Sequence, residues 1–231
     1  VGLIVAYPRS PHVQAVFFWN PWIRRIAGFG YVGLVLAWVP FLRQRLFAPF
    51  SDLLRADAAL DELKSQAYFS DLEIEDADGK RRRIDEAIPQ IAGRIVLEGE
   101  SGLGKSMFVR HLISRSNRLV VLLPAEKCGA GVMTAIQQKL HGPAKDESYL
   151  KALVFSGAID VAIDGINEVD PNTRAEIRNF VEENFHGNII LITQPIDWKP
   201  PSGMVRYVLQ PLKDEAIEQF LLSRQGVLLE H

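Results

Sequence analysis

The stretch Gly99-Glu100-Ser101-Gly102-Leu103-Gly104-Lys105-Ser106 constrains this chain more than any other. It completes the pattern G-x-x-x-x-G-K-[ST] and stands in the context that pattern requires. Arg94-Ile95-Val96-Leu97-Glu98 leads straight into it as a short buried strand, and Met107, Phe108, Leu112 and Ile113 follow at helical spacing. Strand, glycine-rich loop and helix N-terminus in that order make a cradle of main-chain N–H groups for phosphate. Glycines at 99, 102 and 104 let the backbone wrap phosphate oxygens, and a side chain at Gly104 is expected to collide with the ligand. Lys105 is placed to neutralise the β- and γ-phosphates and Ser106 to offer its hydroxyl to Mg2+, with Glu100, Ser101, Leu103 and Met107 completing the binding stretch.

A second element supports this assignment. Residues 158–164 read as an apolar strand ending in the carboxylate of Asp164, where a Walker B aspartate belongs. Asp164 is expected to hold the Mg2+ shell, and Glu168, beyond the strand's end, to polarise the attacking water. Asp160 lies in the strand's first half and is expected far from the phosphates. A third strand over 188–193 follows a helix expected at 173–185 and ends in Thr193 and Gln194. That polar tip is either a γ-phosphate sensor or ordinary strand-end hydrogen bonding.

Composition bounds the partners. Acidic and basic residues nearly cancel, which removes the global positive field of a dedicated nucleic-acid binder, so no nucleic acid is expected. Cys128 is the sole cysteine and the five histidines are scattered, so neither a disulfide framework nor a metal-ligand spacing can be read. The chain opens on Val1 and ends in a run that still reads as helix, so it is expected to be a fragment of a longer protein, with 229–231 set aside as a tag remnant.

Residues 1–50 differ from all that follows, with three of the four tryptophans, many phenylalanines and a paucity of acidic residues. The run 26–42 is apolar, at the short edge of what crosses a bilayer core of about 30 Å. Arg24 and Arg25 precede it, Arg43 and Arg45 follow it, and Trp19, Trp22 and Trp38 sit where interfacial aromatics are expected. A transmembrane segment is preferred here over a hydrophobic helix buried in this protein or a partner, and the segment is expected to be separable from a domain that folds without it. Cytosolic ATP then places Arg43 and Arg45 inside, with a membrane-associated chain and a cytoplasmic NTPase domain. The pattern continues as an amphipathic connector helix over 51–67. Residues 72–75 and 82–84 flank Asp76-Ala77-Asp78-Gly79-Lys80, a hairpin signal that opens the globular domain. The basic run from Lys80 to Arg83 is read as a solvated loop.

The motifs Gly99 to Ser106, Ile163-Asp164-Gly165-Ile166-Asn167-Glu168, Leu191-Ile192-Thr193-Gln194-Pro195 and Leu209-Gln210-Pro211-Leu212, followed by an acidic helix, resemble a NACHT-type NTPase of the STAND class over about 68–222. The resemblance implies an α/β, three-layer P-loop core over 68–210 with a mostly parallel sheet, and a helical lid beginning at 211–231. It implies a P-loop strand separated from the Walker B strand by the sensor strand. It further implies ATP with Mg2+, a switch that controls oligomerisation, and self-association through the NTPase domain. Two departures qualify it: Asn167 stands where the family usually has an acidic residue, and Gln194 where it has Ser-Arg before the proline. A glutamine is a neutral donor of weaker pull than arginine, so hydrolysis is expected to be slow or assembly-dependent. A working motor ATPase and a non-hydrolysing, nucleotide-stabilised scaffold are the alternatives; no L-S-G-G-Q signature of an ABC transporter is present.

Overall fold

The computed structural model describes residues 19–22, 47, 50, 54, 72–140, 144, 146–183 and 185–212. The chain first forms a hairpin, β1 (Glu73–Glu75) and β2 (Arg81–Arg83), where the sequence signals one. Asp76 closes its turn, one carboxylate oxygen accepting from the N–H groups of Asp78 and Lys80 at 3.1 and 3.0 Å. After a short α1 (Ile84–Ala87) come β3 (Arg94–Glu98), α2 (Lys105–Arg115), β4 (Val120–Pro124), α3 (Val132–Leu140) and α4 (Glu147–Phe155). The remainder comprises β5 (Asp160–Asp164), a 3-10 turn (Ile166–Glu168), α5 (Pro171–Glu182), β6 (Ile189–Thr193) and β7 (Val205–Leu209).

The seven strands form one sheet in the order β2-β1-β7-β3-β6-β5-β4. From β7 to β4 all neighbours are parallel, and β1 pairs antiparallel with both β2 and β7. Parallel strands are covered on both faces and so read as continuous aliphatic runs, as in the fully buried Ile-Ile-Leu-Ile-Thr of β6. Alternate residues then feed two cores. Val96, Val161, Ile163, Ile189 and Leu191 pack with α3, α4 and α5, while Ile95, Leu97, Ala162, Ile190 and Ile192 pack with Phe108, Val109 and Leu112 of α2. The expected three layers are therefore present over β3 to β6. Towards β2 the α3–α5 side of the sheet instead carries the ion pairs Arg206–Glu98 and Arg81–Glu75, whose arginines are open to solvent.

The helix expected at 173–185 begins earlier and ends sooner, at Pro171–Glu182. Asp170 sets its start, accepting from the N–H of Asn172 at 2.8 Å and of Thr173 at 3.2 Å, with proline in the first turn where its missing N–H costs nothing. The Thr173 hydroxyl and these amides hold the Asp170 carboxyl below the usual carboxylate range.

Among the described residues no helix is long and apolar enough to cross a membrane, and the run 26–42 lies outside them. Of residues 1–50, Trp19, Phe47 and Phe50 are buried in the core. Trp19 is 3% exposed, not an interfacial aromatic, and sits edge-on to Phe50 at 5.3 Å and to Tyr149 of α4 at 5.2 Å. With Phe47 and Leu54 these rings join the core beneath α3 to α5, because large apolar rings gain most from burial where helices already exclude water. Trp19→Ala is expected to destabilise the fold by about 3–5 kcal/mol in denaturant unfolding. A loss under about 1 kcal/mol would show that the ring contributes nothing to the core.

Candidate nucleotide site

Register places the site. In the ladders Glu98 lies opposite Thr193, Ile192 opposite Asp164, and Asp164 opposite Pro124, so β3, β6, β5 and β4 end along one edge of the sheet. Loops leaving that edge meet in a crevice, the usual ligand position in open α/β sheets. With β6 between them, β3 and β5 stand about 10 Å apart, a gap that the loop after β3 bridges.

Gly104, at φ 84°, turns the chain into α2, and Phe108 N–H closes the first turn on the Gly104 carbonyl at 2.9 Å. A Cβ at Gly104 would touch no protein atom, so backbone conformation, together with space for a ligand, selects glycine there. Gly99 is constrained differently from expectation. Its φ is not left-handed, but a Cβ would stand 2.9 Å from the Leu209 Cβ, so this glycine admits β7 rather than phosphate.

The N-terminus of α2 has no side-chain cap and no acidic residue in its first turn. By contrast Asp146 caps α4 and Asp170 caps α5. The leading N–H groups of α2 thus remain available to an anion, supported by the helix dipole. Lys105 curls back over the loop, its Nζ donating to the carbonyls of Gly99 at 2.7 Å and Glu100 at 2.6 Å. It is 9% exposed, and this desolvation lowers its pKa, partly opposed by the charges of Asp164 and Glu100.

Across the crevice β5 ends at Asp164, and Gly165, at φ 86°, starts the 3-10 turn that carries Glu168. Glu168 N–H donates to the Gly165 carbonyl at 2.9 Å, and the carboxylate folds back so closely that a Cβ on Gly165 would lie 3.2 Å from Oε2. Fully buried Ile166 anchors the turn. Asn167 reaches sideways, its Oδ1 accepting from Gln194 N–H at 3.1 Å.

These elements enclose a cavity of about 300 Å³. Ser101, Gly102, Gly104, Lys105, Ser106 and Met107 form one wall, Asp164, Gly165, Asn167 and Glu168 the other, and Ile192 and Gln194 lie between. Glu100, Leu103, Gly99 and Thr193 do not line it. Thr193 is buried, its hydroxyl donating to the Gln194 carbonyl at 2.9 Å, an ordinary strand-end bond. Asp160 sits at the other end of β5, 1% exposed, paired with Arg118 at 2.5 and 2.8 Å and accepting from Asn188 Nδ2 at 3.0 Å.

The donor set fits a triphosphate with its metal. Among the described residues no three His, Cys, Asp or Glu side chains cluster to hold an ion by themselves. Ser106 and Asp164 share one cavity, and a metal shell completed by phosphate oxygens and water suits magnesium. The volume is at the low end of the roughly 300–1,000 Å³ typical of small-molecule pockets, enough for phosphates and metal without enclosing a base.

The chain has an α/β fold with a mostly parallel sheet. No family model matches the chain, and no curated protein matches it. Among solved structures it matches a Pif1 helicase described in the context of unwinding at forked double-stranded DNA. Identity is 18% and the TM-score 0.33, over 59% of this chain and 35% of the helicase chain. The chain thus spans about a third of that protein, and so distant a likeness carries no argument about activity.

Gly99→Ala is expected to cost about 1–3 kcal/mol of stability through the clash with Leu209, measured by thermal or urea unfolding. Wild-type stability in that variant would mean that β7 does not press on the loop.

Proposed function

We propose that this chain is an ATP-Mg2+-binding regulatory switch with slow or assembly-dependent hydrolysis, a NACHT-type member of the STAND class that controls oligomerisation. The observation that supports it most is the uncapped N-terminus of α2, with Lys105 facing Asp164 and Glu168 across one cavity. In this reading the α2 amides and Lys105 bind the phosphates, displacing the lysine from its carbonyl contacts. Ser106 and Asp164 hold Mg2+, which supplies charge neutralisation on the phosphates when bound. Glu168 takes a proton from water, and Gln194 contacts the terminal phosphate.

Slow turnover is supported by the cavity's charges. Lys105 is the one cationic side chain among the residues lining it, beside two carboxylates, whereas a transferring phosphoryl group calls for more positive charge. A neighbouring copy would supply it on self-association. ATP is preferred to GTP through the family resemblance alone. The membrane role of 26–42, with the NTPase domain on the cytosolic side, belongs to the same proposal and rests on composition and flanking arginines.

Lys105→Ala is expected to weaken ATP binding at least about 100-fold, or ~2.7 kcal/mol, in a calorimetric titration. Glu168→Gln is expected to keep ATP affinity while reducing any hydrolysis about 10²–10⁴-fold. Unchanged affinity in the lysine variant refutes the site; rapid wild-type turnover without assembly refutes the switch in favour of a motor. Because bound phosphate favours the protonated lysine, affinity should fall as pH rises through the lowered pKa of free Lys105, and Lys105→Arg should remove that fall.

A further inference from the structure

We propose that Asn167 is a positioning residue that holds Gln194 at the cavity, allowing the site to distinguish a nucleoside triphosphate from a diphosphate. This rests on the nucleotide-binding reading above.

The ladder between β5 and β6 ends at Asp164 opposite Ile192. Beyond it the two chains diverge, one into the turn carrying Glu168 and the other into Thr193 and Gln194. Asn167 joins them again, its Oδ1 accepting the Gln194 N–H at 3.1 Å. The Gln194 carbonyl is held in turn by the Thr193 hydroxyl at 2.9 Å, and Pro195 biases residue 194 towards extended backbone. With both main-chain groups fixed, the side chain is the part of Gln194 left to move, and Gln194 lines the cavity together with Asn167 and Glu168.

Its amide carries two N–H donors, and among the described residues neither is used within the chain. The α- and β-phosphates belong to the amides of the loop 101–106, so the wall formed by Glu168 and Gln194 faces the terminal phosphate, the group that separates ATP from ADP. Losing the Asn167 bond frees the residue 194 backbone and scatters those donors. An aspartate at 167 would accept the same N–H and preserve the placement. Were the Asn167 amide itself to touch phosphate, aspartate would bring a repelling charge and do more harm than alanine.

The experiment measures dissociation constants for ATP and ADP, each with Mg2+, for wild type, Asn167→Ala, Asn167→Asp, Gln194→Ala and the double alanine variant. Asn167→Ala is expected to weaken ATP binding roughly tenfold with ADP within about twofold, and Asn167→Asp to restore the wild-type ratio. Gln194→Ala should lose the same preference, with no further loss in the double variant. An unchanged ratio in Asn167→Ala, no preference in wild type, additive losses, or an aspartate variant worse than alanine each overturn the proposal. Should Asn167→Ala not fold, Asn167→Ser, too short to reach Gln194, takes its place with the same expected ratio. Lys105→Ala keeps the two readings apart. If it binds ATP like wild type, the site is wrong; if it loses both nucleotides while Asn167→Ala keeps its ratio, only the role of Asn167 fails.

Discussion

The parallel register of β3, β6 and β5 is the constraint on which the site depends. Each strand is buried on both faces, so a slip of one residue would exchange the aliphatic side chains feeding the two cores. Packing therefore fixes the register, and register fixes where the strands stop. Glu98, Thr193 and Asp164 come to one edge without any contact between their side chains having to arrange it. Chemistry is carried by what leaves that edge: a loop of amides, a turn with two carboxylates, and a polar residue between them.

The two ends of β5 show how one residue type acquires opposite roles. Asp160 is enclosed and satisfied by Arg118 and Asn188, as a buried carboxylate must be. Asp164 lines the cavity and, among the described residues, its carboxylate takes no hydrogen bond from the chain. Lys105 is intermediate, its positive charge desolvated yet held by two carbonyls that a phosphate can outbid. The polar groups of the far end stabilise the fold, while those of the near end remain available to a ligand.

Much of this was legible in the amino-acid pattern, because a motif that combines strand, loop and helix encodes its own geometry. The span Arg94–Glu98, the turn into α2, the carboxylate at the end of β5 and the remoteness of Asp160 all follow from local residue types. The limits lay in tertiary packing. That Gly99 makes room for Leu209 depends on a strand more than a hundred residues away. Nothing local could separate Thr193 from Gln194, since which of them faces the cavity depends on the pleat of β6 against its neighbours. Trp19 is the same case, an aromatic that composition assigns to a membrane surface and Tyr149 draws into the core. The α5 boundary was missed because Asp170-Pro171 is itself a start signal, one that the apolar periodicity further on obscured.

The close approach of Gly99 and Leu209 ties the start of the loop to the end of β7. One residue opens the glycine-rich loop and the other closes β7 before the chain moves on to Pro211 and Leu212. They meet with less than a methyl group of free space, so neither can advance without the other giving way. The opening of the loop and the end of β7 therefore share one steric constraint, and added bulk at residue 99 has to be absorbed at Leu209.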